Sequence, residues 1–330
     1  MKRVFATLLI SAATLIAVPG LAAADDLKEI TVAYFLEWPT ANQVAQAEKW
    51  YDEALGVKVN WRAFDSGKDM AAAMVAGEVQ IAYSMGIVPF AVAVSEGAPL
   101  KTVGVALSYA ENDNCVVYKK AAIDKANAHE LEGKKVAVPV GTVTHYKMLR
   151  TLDHLGVDAS KLDLVDMVSA DAAKAFIQGD LTMACGWGGP LRRMKGHGWE
   201  LMTAKEQEAI GIRVFDVIAV TNDFAEQHPD LVTKFLEVTD KAIDYLEDNP
   251  EEAKPVIAQA AGMDLKESNI VLSLFEFPTR DDQVSELWLG GGVQSFMKEV
   301  ADFYVERGEI AAALPDYAPV VDTSFYEKVE

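Results

Sequence analysis

The sequence predicts an α/β protein made of two units, one inserted into the other. Between residues 30 and 108, short apolar runs alternate with segments whose apolar residues recur every three or four positions. A second alternating series follows the polar break at 109–114, and the chain after 223 has mainly helical periodicity. Such alternation is typical of largely parallel sheets covered by helices. We therefore expect two mostly parallel sheets flanked by helices, in two lobes joined by a two-crossing hinge.

Each expected element follows from local periodicity and from its flanking turn residues. In the first unit we expect strands at 30–35, 57–64, 79–84 and 100–107, and helices at 42–55, 68–76 and 87–95. Further strands are expected at 115–118, 136–140, 162–167, 181–185, 200–203 and 214–220. Pro250 is expected to end one helix and begin the next. The chain then divides into lobe 1 (25–109 and 222–330) and an inserted lobe 2 (110–221).

The N-terminus has the pattern of a secretory signal peptide, expected to occupy residues 1–24. Lys2 and Arg3 precede an apolar run at 4–18, which is too short to span a bilayer comfortably. We expect cleavage after Ala24, where no cysteine follows to carry a lipid anchor. The mature chain is therefore expected to be periplasmic and monomeric.

The net charge of the chain is −20, and it becomes −22 when Lys2 and Arg3 are removed. So acidic a protein disfavours nucleic acid and anionic membrane surfaces as partners. If the ligand carries a negative charge, backbone amides must attract it locally against this overall field.

The two cysteines, Cys115 and Cys185, both lie in the middle of the chain. An exported protein can form a disulfide, but the sequence does not give the geometry that one requires. Two buried free thiols are the favoured interpretation. Neither a CxxC pair nor a cysteine–histidine cluster is present, so we expect no structural zinc and no cofactor.

The stretch 133–156 reads as a strand, a turn with Gly141, Thr142 and Thr144, and an amphipathic helix. This order brings unpaired backbone N–H groups and the positive end of a helix dipole to one point. Such a point binds anions. The alternative is that Thr142 or Thr144 only caps the helix, as threonine commonly does.

Common catalytic signatures do not occur in the sequence. We find no GxxxxGK[ST], HExxH or GxSxG motif, and the glycine run at 290–292 does not follow a predicted strand. The five histidines are dispersed along the chain. These observations favour binding over catalysis.

Five blocks of the sequence resemble the substrate-binding proteins of ABC importers for nitrate, sulfonates and taurine, and are most similar to the taurine-binding members. The blocks are VNWRAFDSG (59–67), GEVQI (77–81), VAVPVGTVTHY (136–146), WGGP (187–190) and FDVIAVTNDFA (215–225). The resemblance implies a two-lobed periplasmic binding protein fold of type II. It also implies a ligand in the cleft, with its acidic end at helix N-termini and its amine facing a carboxylate.

The sequence departs from the taurine-binding pattern after the third strand. Where that pattern resembles GSSP, this chain has GIVP at 86–89, which keeps the backbone amides and loses the serine hydroxyls. Additional carboxylates occur at Glu37, Glu111 and Asp113. More carboxylates and fewer hydroxyls leave room for a ligand with a larger or more strongly positive end.

Nine residues are expected to contact the ligand: Trp38, Tyr83, Gly86, Ile87, Thr142, Thr144, His145, Trp187 and Asp216. Backbone amides at 86–87 and 142–145, helped by the Thr144 hydroxyl, would hold the acidic group. Glu37, Glu111 and Asp113 are weaker candidates, because solvated carboxylates are the default in so acidic a chain.

Asp216 stands in an apolar strand, where a charge is uncommon unless it is paired. The ligand ammonium is the expected partner, and a structural pair with Arg213 is the alternative. Trp187 would provide an apolar or cation–π wall, with Trp38 and Tyr83 as similar candidates. The alternative is packing in the core for Trp187 and Tyr83, and closing the lobe edge for Trp38.

The resemblance therefore predicts a non-enzymatic protein that delivers taurine or a similar zwitterion to an ABC permease. The ligand could instead be another sulfonate or a methylated or quaternary amine. An enzyme on the same fold, similar to thiamine-pyrimidine synthases, is disfavoured because their cysteine-rich motif is missing and because residues 1–24 predict export. A chemosensory binding protein is a further alternative, which the sequence does not separate from an importer component.

Overall fold

A computed structural model describes residues 27–329, so the expected signal peptide lies outside the described residues. The strands are β1 (Glu29–Phe35), β2 (Lys58–Phe64), β3 (Ile81–Gly86), β4 (Leu100–Ser108), β5 (Asp113–Tyr118), β6 (Lys135–Val138), β7 (Asp163–Asp166), β8 (Met183–Trp187), β9 (Gly198–Glu200) and β10 (Phe215–Thr221). The helices are α1 (Gln43–Ala47), α2 (Trp50–Leu55), α3 (Gly67–Val75), α4 (Ile87–Ser95), α5 (Val143–His154), α6 (Ser169–Gln178), α7 (Gly188–Lys195), α8 (Ala204–Glu208), α9 (Asn222–Gln227), α10 (Pro229–Asp248), α11 (Pro250–Ala260), α12 (Leu265–Leu272), α13 (Arg280–Gln283) and α14 (Gly292–Glu306). Among the residues described, none of these helices has the length and apolar character of a membrane span.

The strands form two five-stranded sheets, in the orders β2-β1-β3-β10-β4 and β7-β6-β8-β5-β9. In the first sheet β10 runs antiparallel to both of its neighbours, and in the second sheet β5 does the same. The paired strands β1–β2, β1–β3, β6–β7 and β6–β8 are parallel. The predicted fold class, two mostly parallel sheets flanked by helices, is thereby confirmed.

The central strands are apolar because helices cover both faces of each sheet. All six residues of β3 are buried, as are the first six residues of β10. Runs of this kind are expected in strands that do not alternate between core and solvent. We use lobe 1 for the first sheet with α1–α4 and α9–α14, and lobe 2 for the second sheet with α5–α8.

Two predicted elements differ in their details. The helix expected at 42–55 is divided into α1 and α2, because Lys49 adopts a left-handed conformation with φ of 61°. The strand expected at 200–203 is β9, which ends at Glu200. The chain leaves the strand because Thr203 caps α8, accepting a hydrogen bond from the Glu206 N–H in a capping box.

The return from lobe 2 to the first sheet lies earlier in the chain than the sequence division places it. That division assigns residues up to 221 to lobe 2, but β10 pairs with β3 and β4. The return crossing therefore lies between β9 and Phe215. Because β10 is in the first sheet, Asp216 stands opposite Gly86 at the end of β3.

The two cysteines form a disulfide, which corrects the expectation of free thiols. Cys115 on β5 lies directly opposite Cys185 on β8, and the two sulfur atoms are 2.03 Å apart. Strand register brings the two residues together, and a sequence alone does not reveal register. The disulfide joins the strands that carry Asp113 and Trp187, which are also opposite each other in this pair.

Candidate ligand-binding site

A small cavity of about 30 Å³ lies between the lobes. Both sheets and four helix N-termini contribute to its lining, which consists of Phe35, Trp38, Gly67, Gly86, Pro89, Tyr109, Asp113, Thr142, Val143, Thr144, Trp187 and Asp216. At roughly 10–15 Å³ for each water-sized group, the space is small, so a long ligand requires the walls to separate. A larger groove of about 690 Å³, lined mainly by α3, α4 and residues 304–310, lies elsewhere and lacks these buried carboxylates.

Helices α3, α4, α5 and α7 all begin at this cavity, two from each lobe. We call their first residues the helix-terminus wall. The approach between lobes is close, since a Cβ added to Gly86 would lie 2.9 Å from Val143 Cγ2. Gly188 begins α7 with φ of 56°, and a Cβ there would lie 2.9 Å from the Glu37 carbonyl oxygen. Larger residues at these two positions would force the lobes apart.

The helix caps leave backbone donors free at this wall. Thr142 accepts from the His145 N–H at 3.2 Å, and Ser66 accepts from the Asp69 N–H at 3.2 Å. Helices α4 and α7 have no side-chain cap. Since a helix leaves its first N–H groups without an internal acceptor, those of the first two residues of each helix are available to an anion. Four helix dipoles add positive potential at the same place.

Asp216 lines the same cavity and offers negative charge instead of N–H donors. It is 2% exposed. The Ser84 hydroxyl donates to its Oδ2 at 2.6 Å, and the Tyr109 hydroxyl donates to its Oδ1 at 2.6 Å. Arg213 is not its partner, because the guanidinium lies over the rings of Phe215, Trp288 and Phe296. The structural alternative of an Asp216–Arg213 pair is therefore wrong.

Ser84 and Trp38 fix the position of this carboxylate. The Trp38 indole N–H donates to the Ser84 hydroxyl oxygen at 3.0 Å, and the ring packs edge-on against Tyr109 with centroids 4.9 Å apart. Ser84 has φ of 66°, an uncommon value for a residue with a Cβ. A residue in a strained conformation persists only where its surroundings hold it there. Ser84 is held by its hydrogen bonds with Trp38 and Asp216.

Asp113 is the second buried carboxylate of the cavity, with 1% exposure. The Thr144 hydroxyl donates to its Oδ2 at 2.6 Å. The buried Lys147 ammonium donates to the backbone carbonyls of Asp113 and Ala110. We call Asp113 and Asp216 the carboxylate wall. Because the Thr144 hydroxyl proton is directed at Asp113, the expected role of that hydroxyl in holding an acidic group does not match its contact.

The carboxylate wall holds protons more tightly than solvated carboxylates do. The pKa of Asp216 is raised to about 7, mainly by burial and also by the charge of Asp113, against the hydrogen bonds from Ser84 and Tyr109. Burial raises the pKa of Asp113 to about 6, although Lys147 and Thr144 act in the opposite direction. A cation placed in the cavity would favour the ionised forms of both groups.

Charged side chains also join the lobes near the mouth of the cleft. Glu37 pairs with Arg193 of α7 at 3.2 Å, and Arg192 pairs with Glu267 of α12 at 3.4 Å. These side chains are partly exposed, so each pair contributes about 0–1 kcal/mol. The Glu37 carboxylate thus has an interlobe partner and does not line the cavity.

The structure brings together most, but not all, of the residues singled out in the sequence. The cavity is lined by Trp38, Gly86, Asp113, Thr142, Thr144, Trp187 and Asp216, and it is not lined by Glu37, Tyr83, Ile87, Glu111 or His145. Glu111 is exposed, and the Tyr83 hydroxyl is buried without a partner among the described residues. His145 is buried, and burial together with Arg307 lowers its pKa to about 4. It is therefore neutral at physiological pH.

Several contributors to the cavity were not singled out in the sequence: Phe35, Gly67, Ser84, Pro89, Tyr109 and Val143. Ser84 carries the same signal that identified Asp216, a polar residue inside an apolar strand. Tyr109 gives no such signal, because its proximity to Asp216 depends on the pairing of β10 with β4.

The sequence of this chain is similar to that of known binding proteins. The family model described as NMT1/THI5 like matches residues 40–253, which is more than half of the chain. The chain belongs to the NMT1/THI5 like family. The taurine-binding periplasmic protein of Escherichia coli K12 is 29% identical to this chain over 304 residues, covering 90% of this chain and 92% of the relative. The resemblance stated from the sequence is confirmed.

Solved structures of this fold include both binding proteins and enzymes. The alkanesulfonate-binding protein of Xanthomonas axonopodis pv. citri, bound to MOPS, superposes with a TM-score of 0.74 at 20% identity and covers 91% of this NMT1/THI5 like chain and 99% of its own. A desulfurization enzyme, DszB, in complex with biphenyl-2-sulfinic acid superposes with a TM-score of 0.66 at 13% identity, covering 92% and 99%. These likenesses establish the fold and leave the ligand to the site.

Proposed function

We propose that this protein is the periplasmic solute-binding component of an ABC importer, which binds taurine or a closely similar small zwitterion and delivers it to a membrane permease. The observation that carries the proposal is the division of charge around one cavity. Four helix N-termini offer backbone donors to an anion, and two buried aspartates offer negative charge to a cation. A ligand with both charges satisfies both walls, whereas a ligand with one charge leaves buried groups unmet.

The size of the cavity supports a small zwitterion over a long-chain sulfonate. Phe35, Trp38 and Trp187 narrow a space of about 30 Å³, and Trp38 and Phe35 are themselves buried. The periplasmic location rests on the pattern of residues 1–24 and on relatives that are named as periplasmic proteins. The permease and the monomeric state are part of the same proposal.

A methylated or quaternary amine is the second candidate, and one observation favours it. Four aromatic side chains line the cavity, Phe35, Trp38, Tyr109 and Trp187. Aromatic faces bind cations without requiring an N–H donor. The hydrogen-bonding state of the two aspartates bears on this choice.

Catalysis on this fold is the weaker alternative. The solved desulfurization enzyme was studied as a cysteine-to-serine variant, whereas both cysteines of this chain are joined in a disulfide and neither lines the cavity. We therefore propose a binding role without covalent chemistry.

A thermal-shift panel with taurine, hypotaurine, alkylsulfonates, glycine betaine, choline and nitrate tests this function. A ligand at 100 times its dissociation constant stabilises the folded protein by about 2.7 kcal/mol. For a chain of this size, that corresponds to an increase in Tm of a few degrees. We expect taurine or hypotaurine to give the largest shift. A shift with nitrate or choline alone would contradict the proposal.

A further inference from the structure

The two aspartates of the carboxylate wall differ in how many of their oxygens already have hydrogen-bond donors. Both oxygens of Asp216 accept a hydroxyl, from Ser84 and Tyr109, each at 2.6 Å. Only Oδ2 of Asp113 accepts one, from Thr144 at 2.6 Å. Asp113 Oδ1 is buried and has no partner within residues 27–329. A buried acceptor that stays unmet costs about 1–3 kcal/mol, and more when it is charged.

The backbone holds Asp113 where it is. The Lys147 ammonium donates to the carbonyls of Ala110 and Asp113, so the turn before β5 is fixed from within lobe 2. Asp113 pairs with Trp187 across β5 and β8, and two residues later the Cys115–Cys185 disulfide joins the same strands. The backbone of Asp113 therefore cannot move away from the cavity without disturbing the sheet.

The hydroxyl and indole donors around this oxygen are directed at other acceptors. The Tyr109 hydroxyl donates to Asp216, the Trp38 indole donates to Ser84, and the Thr144 hydroxyl donates to the other oxygen of Asp113. Lys147 donates to backbone carbonyls. A ligand ammonium in the closed cavity can supply the donor that these side chains do not.

We infer that Asp113 Oδ1 accepts a hydrogen bond from the ligand's ammonium, and that the ligand is therefore a zwitterion whose nitrogen keeps at least one N–H. Asp216 then supplies the second negative charge and, through Ser84 and Tyr109, the rigid wall beside it. This inference rests on the proposed function and selects the ligand class within it: primary, secondary and tertiary ammonium groups fit, and quaternary ones do not. The aromatic residues then act as walls for the nitrogen and its carbon chain.

The charges around the pair agree with a cationic ligand. Lys147 lies near Asp113 and opposes the burial that raises the pKa of that carboxyl. Asp113 and Asp216 together carry two negative charges when ionised, and Lys147 supplies one compensating charge. An ammonium supplies a second positive charge next to the acceptor that lacks a donor.

Calorimetric titration of the mature wild-type protein with taurine and its N-methyl, N,N-dimethyl and N,N,N-trimethyl derivatives tests the inference. We expect affinity to fall with methylation, and trimethyltaurine to bind at least 30-fold more weakly than taurine, as expected for an unmet buried charge. Homotaurine controls for size, because it is an isomer of N-methyltaurine that keeps all three N–H groups. Trimethyltaurine binding as tightly as taurine would overturn the inference, and this series does not depend on any variant folding.

Substitution of Asp113 provides the second arm. Asp113→Asn and Asp113→Ala should each weaken taurine binding at least 30-fold and reduce the preference for taurine over trimethyltaurine. Asp163→Asn is the matched control, since this exposed aspartate on β7 lies in the same sheet and its carboxylate has no hydrogen-bonded partner in the described part of the chain. Thermal unfolding without ligand shows whether each variant is folded.

The outcomes separate this inference from the proposed function. If the wild type binds taurine and folded Asp113 variants bind it equally well, Asp113 is not the acceptor while the function stands. If the wild type binds trimethyltaurine and not taurine, the ligand class is a quaternary amine and the inference is wrong. If the wild type binds none of these zwitterions, the proposed function fails and the inference fails with it.

Discussion

The two walls of the cavity would recognise charge with different parts of the chain. The helix-terminus wall offers backbone N–H groups, which any residue except proline supplies once a helix begins there. The carboxylate wall depends on particular side chains, Asp113 and Asp216, and on the hydroxyls of Ser84, Tyr109 and Thr144 that hold them. Substitutions should therefore affect the first wall through shape and the second through charge. The predictions below test that difference.

The largest effect is expected at the carboxylate wall. Asp216→Asn should weaken taurine binding by about 2–5 kcal/mol, because it removes one partner of a buried charge pair. The same variant should bind ethanesulfonate, which lacks the amine, more tightly than the wild type does. Titration calorimetry with both ligands measures this. An unchanged affinity for taurine would mean that Asp216 is only structural.

A smaller effect, with no selectivity between ligands, is expected at the helix-terminus wall. The added Cβ in Gly86→Ala would lie 2.9 Å from Val143 Cγ2 and 3.2 Å from Pro89 Cδ, so the lobes could not close fully. Overpacking of this kind costs about 1–3 kcal/mol. We expect similar losses for taurine and for ethanesulfonate.

Gly196→Ala is the control for that substitution, because its Cβ would meet its nearest neighbour at 3.4 Å, outside the cavity. It should bind both ligands as the wild type does. A loss in Gly86→Ala that is confined to taurine would contradict the assignment of this wall to the anion.

A still smaller effect is expected in the pH dependence of stability and of taurine affinity, to which the two aspartates of the carboxylate wall contribute. In the ligand-free protein the pKa of Asp216 is raised to about 7 and that of Asp113 to about 6, both above the unfolded values near 4. Between about pH 4 and 7 the native state binds protons that the unfolded state has lost, so these groups lower stability as pH rises through this window. Taurine affinity should rise over the upper part of the same window, since the ammonium favours ionised carboxylates.

The measurement is the difference between wild type and Asp216→Asn at pH 5 and pH 8. This comparison cancels the contribution of His145, whose pKa of about 4 gives a pH dependence of the opposite sign. Stability of the wild type should fall more than that of the variant, by about 1.4 kcal/mol for each pH unit between pH 5 and the raised pKa of Asp216, which is about 7. Equal slopes would show that Asp216 does not titrate in this range.

The helix-terminus wall could be predicted from the sequence because its signals are local. A strand, a Gly/Thr turn and an amphipathic helix at 133–156 predict where α5 begins, and Thr142 does cap it. The fold class followed from apolar periodicity in the same way. Asp216 could also be singled out, because its charge interrupts an apolar strand.

The carboxylate wall could be predicted only in part, because it depends on strand register. Asp216 meets Ser84 and Tyr109 through the pairing of β10 with β3 and β4, and the two cysteines meet through the pairing of β5 with β8. Neither pairing is visible in local periodicity. The unmet oxygen of Asp113 is still harder to predict, since it depends on where the neighbouring hydroxyl and indole donors are directed.

The most direct test of the division of charge compares taurine with ethanesulfonate on the wild-type protein by titration calorimetry. The two ligands share the sulfonate and the two-carbon chain, and only taurine carries the ammonium. We predict that taurine binds at least 100-fold more tightly, because without the ammonium only Lys147 compensates the two buried carboxylates. Ethanesulfonate binding as tightly as taurine, or more tightly, would contradict the account.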